Sequence, residues 1–568
     1  MAKKLSVTKR FWRLIKADAK EIRNIYYYSF FVGLIGLSLP LGIQAIVNLI
    51  QGGRVSSAWI VLVLIVVLGI AFSGVLQILQ LRLTENIQQR IFTRAAFEFA
   101  YRIPRIKLEQ IFKFYAPELI NRFFDVMTIQ KGLTKILITI STAGIQVVLG
   151  LLLLSLYHPF FIIFSVLLLL LIFLIFRFTS RKGLETSLEE SKHKYRLAHW
   201  LEETARTSIS FKLAGETNHS LNRTNIHADH YLEAREKHFK VLVTQYGLLV
   251  LFKVLVATGL LAIGGVLVME QEMNIGQFVA AEIIIVLIIN SVEKLIRNLE
   301  IIYDVLTAIE KVAQVSDLEL EKYHGIEFKE ENITNGLSLN LNNVSFSYPG
   351  SKYTTLNDIS LAIKENQKVV ITGKSGSGKS TLLHLIAGLY ELKTGTISYN
   401  NLPLGNLKLE SLRNIIGANL NQEDLFYGSI LENITIGRSK ADFANVQWAI
   451  EKVGLTDFIQ KLPNGYDTMI LPNGRSLPKS VVQKLLIARN IVDKPKMLLL
   501  EYSLEHLNFN DKETIMNFIF DKENQCTVIA ATKDIELAKK SDLIILMEEG
   551  RIKMQGNYNE LKSELNKL

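Results

Sequence analysis

The sequence predicts an α-helical transmembrane domain of six spans followed by an α/β domain built on a phosphate-binding loop. Three observations carry that expectation. Six apolar stretches are long enough to cross a bilayer, the loops between them differ sharply in Lys and Arg content, and one glycine-rich motif lies between a strand-like and a helix-like run. A chain of 568 residues also exceeds what one hydrophobic core serves, so at least two domains are expected. With 49% hydrophobic residues and a mean hydropathy of +0.24, a membrane protein is favoured.

The expected spans are Tyr27–Ile50, Ala58–Leu81, Leu133–Tyr157, Phe160–Phe176, Val241–Met269 and Gly276–Val292, the fourth borrowing its flanks through Arg177. Only His158 and Pro159 separate spans three and four, which forces a tight helical hairpin. Between spans two and three lie Arg82, Arg90, Arg94, Arg102, Arg105, Lys107, Lys113, Arg122 and Lys131, and the stretch after span four opens on Arg177, Arg181 and Lys182. The link after span one has only Arg54, and the link after span five has Glu270 and Glu272 without a base. The positive-inside rule therefore puts both long loops and both termini in the cytosol; a bacterial inner (plasma) membrane is the expected location. The formal charge of +10 is then mostly a topology signal, and nucleic acid is not expected as a partner.

Ahead of span one, Lys3, Lys4, Lys9, Arg10, Arg13, Lys16, Lys20 and Arg23 make the segment too long and too charged for a secretory signal. It reads as a cytosolic amphipathic segment. The single cysteine, Cys526, excludes an intrachain disulfide and reads as an inert thiol near a buried strand. The two long loops are helix-favouring and too polar for the bilayer, so four spans should run ~25 Å or more into the cytosol, with the turn of each loop docking on a soluble domain. Lys253, Glu282, Glu293 and Lys294 are the charged residues in or beside spans five and six. Lys253 is ~24 Å of helix from Met269 and Glu293 ~26 Å from Gly276, so an ion pair is expected; Glu282, only ~9 Å from the outer face, cannot join it. The alternative is that these side chains line a wet cavity or snorkel.

Past about Ser316 the apolar runs shorten to strand length. The domain limits expected are 1–321 for the spans with their loops, 322–337 for a linker, and 338–568 for the second domain. Its strongest motif is Gly373-Lys374-Ser375-Gly376-Ser377-Gly378-Lys379-Ser380, between the strand-like Lys368–Thr372 and the helix-like Thr381–Leu389. Glycines let backbone N–H groups close around phosphate oxygens at a helix N-terminus, Lys379 reaches the β/γ-phosphates, and Ser380 ligates Mg²⁺.

The six spans, long cytosolic loops and this motif resemble half-transporters of the ATP-binding-cassette exporter family over nearly the whole chain. Within it, the run Gly276-Gln277-Phe278-Val279-Ala280-Ala281 looks most like the haemolysin-type secretion transporters, without their peptidase-like domain ahead of span one. The resemblance implies ATP and Mg²⁺ as cofactors. It makes Tyr348, in Phe346-Ser347-Tyr348-Pro349, the aromatic that stacks on adenine. Gln422, in Asn421-Gln422-Glu423-Asp424-Leu425-Phe426, becomes the glutamine joining Mg²⁺ to the coupling helices. With Gly373, Ser375, Gly376, Ser377, Gly378, Lys379, Ser380 and Thr381 these complete an adenine-to-phosphate half-site, the metal ligands being Ser380 and Gln422.

Elsewhere the sequence departs from that pattern. The family signature Leu-Ser-Gly-Gly-Gln is here Leu477-Pro478-Lys479-Ser480-Val481, and proline offers neither hydroxyl nor N–H to a γ-phosphate. Glu501 replaces the Mg²⁺-associated aspartate, Tyr502 the general-base glutamate and Thr532 the switch histidine. His506, nearby, reads as a surface residue. A phenol with a pKa near 10 is a poor base at neutral pH. Binding should survive while hydrolysis fails. Partners implied are the lipid bilayer, a second half-transporter in a homodimer or heterodimer, and, if the secretion resemblance holds, a periplasmic adaptor. The competing readings are a non-pumping ATP-binding scaffold or gate and a degenerate subunit that needs a catalytic partner.

Overall fold

The computed structural model describes residues 6–51, 57–112, 116–328, 333, 335–421 and 424–566. Lys3, Lys4, Arg54, Lys113 and the expected site residue Gln422 lie outside the described residues. The chain divides into two compact units, Met1–Pro104 with Phe114–Leu318, and Arg105–Lys113 with Glu319–Leu568.

In the first unit six helical paths are long and apolar enough to cross a membrane: Ala19–Gln51, Ser57–Arg105, Leu119–Ser155, Pro159–Arg206, His219–Met269 and Ile275–Ser316. Each overlaps one expected stretch and outruns it, because the helix continues into the polar sequence beyond. Pro159–Arg206 is one helix of 48 residues, ~72 Å long against ~30 Å of hydrocarbon. Its sharp start is local chemistry. His158 Nδ1 accepts the Phe160 N–H at 3.2 Å and Pro159 takes the first helical position, where no N–H is needed. Along Ser57–Arg102 the apolar residues Ile60, Leu64, Ile65 and Leu68 are exposed, the face a span offers to lipid. Ile284, Ile285, Ile288 and Val292 of the last span bury against Leu249, Phe252 and Val256 of the fifth.

Lys253 Nζ lies 2.5 Å from Glu293 Oε2, and Arg297 approaches the other carboxylate oxygen at 3.3 Å. The expected ion pair is present, and Glu282 is exposed and outside it. The N-terminal helix Val7–Ala17 is amphipathic as expected: Phe11, Leu14 and Ile15 pack against the unit's core, while Lys9, Trp12, Arg13 and Lys16 face outward.

The second unit departs from the expected boundaries. Residues Arg105–Lys113, from the first long loop, group with it and not with the spans. Ile106 forms an antiparallel bridge to Leu320, the Lys107 N–H donates to the Glu319 carbonyl at 2.9 Å, and Glu321 N–H donates to the Arg105 carbonyl at 2.8 Å. The Lys107 ammonium reaches Glu391 at 3.1 Å, and the Glu109 carboxylate accepts the Glu391 N–H at 2.6 Å. A loop that reads as part of the membrane domain thus supplies one edge of the second unit.

A six-stranded sheet forms this unit's centre, in the spatial order Arg551–Gly556, Leu543–Glu548, Lys368–Gly373, Thr527–Ala531, Met497–Glu501, Ile416–Asn419. All but the Arg551–Gly556 edge pair in parallel. The three central strands read as unbroken apolar runs because helices cover both faces. A four-stranded antiparallel sheet holds Leu356–Ile363, Leu339–Phe346, Thr394–Tyr399 and Leu402–Pro403. Ala531 lies in register with both Ile371 and Glu501, so the carboxyl ends of three adjacent strands converge on one corner. Ligands in open α/β sheets bind at that kind of corner.

Candidate functional site

Strand Lys368–Gly373 delivers the chain into the loop 373–378, and helix Lys379–Ile386 leaves it. Gly378 at φ +99° caps that helix; a Cβ there would stand 2.6 Å from Leu356 Cδ2. Gly373, at φ +144°, would put a Cβ 2.1 Å from the Met547 carbonyl oxygen. Both positions therefore require glycine. Lys374, Ser375 and Gly376 line the open side of the loop, while Ser377, Gly378 and Lys379 are buried. The Lys379 ammonium curls into the loop, donating to the carbonyls of Gly373 at 2.9 Å and Lys374 at 2.8 Å and reaching Ser377 Oγ at 3.2 Å. Burial, and secondarily Lys533, hold its pKa below the ordinary lysine value. A buried cation whose hydrogen-bond partners among the described residues are neutral is arranged to receive anionic oxygen.

Glu501 ends its strand with its carboxylate buried, and Oε2 accepts the Asn421 N–H at 3.0 Å. Burial pushes the carboxyl upward, but the opposing influence of His384, the Asn421 amide and the Ser380 hydroxyl is larger, so its pKa sits below the usual carboxylate range. His384 escaped the sequence reading. It is buried, its Nε2 stands 3.6 Å from Glu501 Oε2, and neither ring nitrogen has a hydrogen-bond partner among the described residues. That separation is an ion-pair distance and longer than a hydrogen bond. The signal was in the spacing: His384 follows Ser380 by four, so both project from one helix face toward the strand end.

Tyr348 is half-buried, and its phenol lies 3.0 Å from Thr381 Oγ1, at the start of the phosphate-loop helix. Phe346 and Tyr390 meet it edge-on, at 5.1 and 5.4 Å between centroids.

Of the remaining expected positions, Tyr502 and Thr532 fall at the same corner. Tyr502 follows Glu501 directly, at φ +51°, with its N–H donated to the Ala531 carbonyl at 3.0 Å. Burial, then Glu505 and Glu501, raise its phenol pKa above the usual tyrosine value. Thr532 is buried; its N–H donates to the Ile371 carbonyl and its hydroxyl accepts the Asp534 N–H at 3.1 Å. Pro478 is the exposed N-cap of helix Lys479–Ile491 and provides no side-chain cap; no acidic residue stands in the first turn. His506 is exposed, and Cys526 is buried with its thiol pKa pushed up to about 12, an inert group as expected.

Comparison with known proteins places family matches on both units. Residues 25–292 match "ABC transporter transmembrane region" and residues 356–501 match "ABC transporter". A third match, "RsgA GTPase", spans 265–403; the phosphate loop is what a GTPase and this domain share. The Bacillus subtilis (strain 168) "Uncharacterized ABC transporter ATP-binding protein YfiB" is 34% identical over 43% of this chain and 43% of its own. The Escherichia coli "Alpha-hemolysin translocation ATP-binding protein HlyB" is 30% identical over 53% of this chain and 42% of its own. The Coxiella burnetii "ATP-dependent lipid A-core flippase" is 28% identical over 50% and 48%. The aligned stretch thus spans less than half the length of each of these relatives. A solved structure of a bacterial Atm1-family ABC exporter with ATP bound superposes with a TM-score of 0.80, at 20% identity, over 97% of this chain and 96% of that one, a likeness of fold.

Proposed function

We propose, for a chain that belongs to the ABC exporters as a half-transporter with one membrane domain and one ATP-binding domain, that it binds ATP while hydrolysing it poorly, and exports substrate from the cytosolic side of a bacterial inner membrane. The observation that carries this reading is the corner where Lys379, Ser380 and Glu501 are set for phosphate while the next residue is a tyrosine with a raised pKa. Tyr348 would stack the base, and the loop Gly373–Ser380 with Thr381 would hold the phosphates.

Mg²⁺ fits the donors present: the ionised Glu501 carboxylate and the Ser380 hydroxyl are hard oxygen groups of the kind that ion takes. Gln422 is the further ligand in this reading. Bound there, the ion would neutralise charge between the β- and γ-phosphates. This chain's own residues then do the rest. Lys379 exchanges its loop carbonyls for phosphate oxygens, and Glu501, held by the Asn421 amide, fixes the far side of the corner. Tyr502 cannot take a proton from water at neutral pH, since its phenol stays protonated. Pro478 and Thr532 supply neither the signature hydroxyl nor an ionisable switch. Each such group contributes on the order of 10²- to 10⁴-fold in rate, so binding outlasts turnover.

A second half-transporter would face this one. In a homodimer both sites would lack base and signature serine, and an intact partner's glutamate would still meet Pro478. Both termini are cytosolic in this reading. The haemolysin-type relative's name speaks of translocation, which supports export; a periplasmic adaptor is the further partner a secretion role would take.

ATP binding and hydrolysis by the purified chain in lipid nanodiscs, beside Lys379→Ala, test the proposal. We expect saturable ATP binding, a fall of about 100-fold in affinity on losing the lysine's charge-assisted contacts, and turnover close to that of the variant. Retained affinity in Lys379→Ala, or turnover far above it, overturns the reading.

A further inference from the structure

The aromatic expected to receive the nucleobase already carries a ring. Phe112 lies 5.7 Å from Tyr348, centroid to centroid, with the two planes only 17° apart, an offset stack of the kind a purine would make there. Among the described residues Phe112 is the one ring parallel to Tyr348; Phe346 and Tyr390 stand at 81° and 88° to it. Tyr348 is further fixed by its phenol, 3.0 Å from Thr381 Oγ1. Its position is therefore set by its phenol and by two rings at near right angles, while the parallel stack belongs to Phe112.

Phe112 does not come from the nucleotide domain's own sequence. It follows helix Leu108–Ile111, in the Arg105–Lys113 segment that leaves the membrane-domain sequence to join this unit. Lys107 and Glu109 tie that segment at Glu391, next to Tyr390, but Phe112 itself is 55% exposed. An aromatic held on one face and wet on the rest can be released at small cost.

We infer that Phe112 occupies the nucleobase subsite as a resident stand-in, so that the base of a purine nucleotide takes the Tyr348 face by displacing a ring borne on the first cytosolic loop. The inference rests on the ATP-binding reading above and adds a residue to its site. The larger π-face of a purine outcompetes a phenyl ring on the same tyrosine, while a ligand with phosphates and no base leaves the stack untouched. Base recognition and the position of the Arg105–Lys113 segment become one event.

The test uses the full chain in nanodiscs and two probes, Mg-ATP and inorganic tripolyphosphate, titrated calorimetrically. Phe112→Ala should tighten ATP binding about threefold to tenfold and leave tripolyphosphate unchanged. On a Tyr348→Ala background, which weakens ATP by itself, removing Phe112 should add nothing. Unchanged or weaker ATP binding in Phe112→Ala overturns the inference, since the base would then use another surface. An equal gain for tripolyphosphate also overturns it, by placing the effect on the phosphate loop. Failure of the underlying reading is a separate result: ATP would then bind the unsubstituted chain and Lys379→Ala alike, whatever Phe112 does.

Discussion

Two halves of one corner, built on neighbouring strands, have been treated differently. At the end of Lys368–Gly373 the loop has its glycines where a Cβ would clash and a buried lysine whose hydrogen-bond partners among the described residues are neutral. At the ends of Met497–Glu501 and Thr527–Ala531, across the same sheet, stand a tyrosine with a raised pKa and a threonine whose hydroxyl accepts the Asp534 N–H. The scaffold is shared, so fold stability does not explain the contrast. Binding needs donors and a nest, which the loop backbone provides. In the proposed reading, hydrolysis needs proton acceptors at particular strand ends, and those are side-chain choices that the backbone tolerates changing.

On the proposed reading, the comparison is broken most severely by introducing a base, a switch histidine and a signature serine together. Pro478→Ser, Tyr502→Glu and Thr532→His combined should raise ATP turnover by about 10²- to 10⁴-fold, whereas Tyr502→Glu alone should stay within about tenfold of the unsubstituted chain. A full gain from the single change would show the base to be the only defect. A smaller effect sharpens the binding side. His384→Ala should cost about 2 kcal/mol of stability, since it opens space behind a buried carboxylate and removes the nearest ring nitrogen. It should be read as thermal unfolding without Mg²⁺ or nucleotide; an unchanged midpoint would mean Glu501 is held by the Asn421 amide alone. Smallest is the pair far from the corner. Lys253 and Glu293 should couple by about 0.5–1 kcal/mol in a double-mutant cycle on unfolding, because both are partly open to their surroundings. A coupling near zero would leave Arg297 as the partner of Glu293.

Much of this was legible in the sequence, for identifiable reasons. Span number follows from apolar length alone, and the Lys253–Glu293 pair from counting helical rise, because a membrane helix gives depth directly. The phosphate loop was legible because its glycines answer steric demands that leave few alternatives. His384 was missed although its i+4 relation to Ser380 was visible, since a lone histidine on an apolar helix carries no motif. Phe112 could not have been found: its partner Tyr348 is distant in sequence and belongs to a different expected domain. Domain limits failed there for the same reason. A boundary drawn along the chain assumes that neighbours in sequence share a core, and a nine-residue return segment violates that without any change in composition.

That return segment has a consequence for biosynthesis. Arg105–Lys113 leaves the ribosome before Glu319–Leu568 exists, and at 5–20 residues per second the two are separated by about 10–40 s of translation. During that interval Ile106, Lys107 and Glu109 have no Leu320, Glu319 or Glu391 to pair with. The second unit therefore closes only when its later-made part meets a piece synthesised early, and a chain released before residue 319 leaves Ile106, Lys107 and Glu109 without these partners.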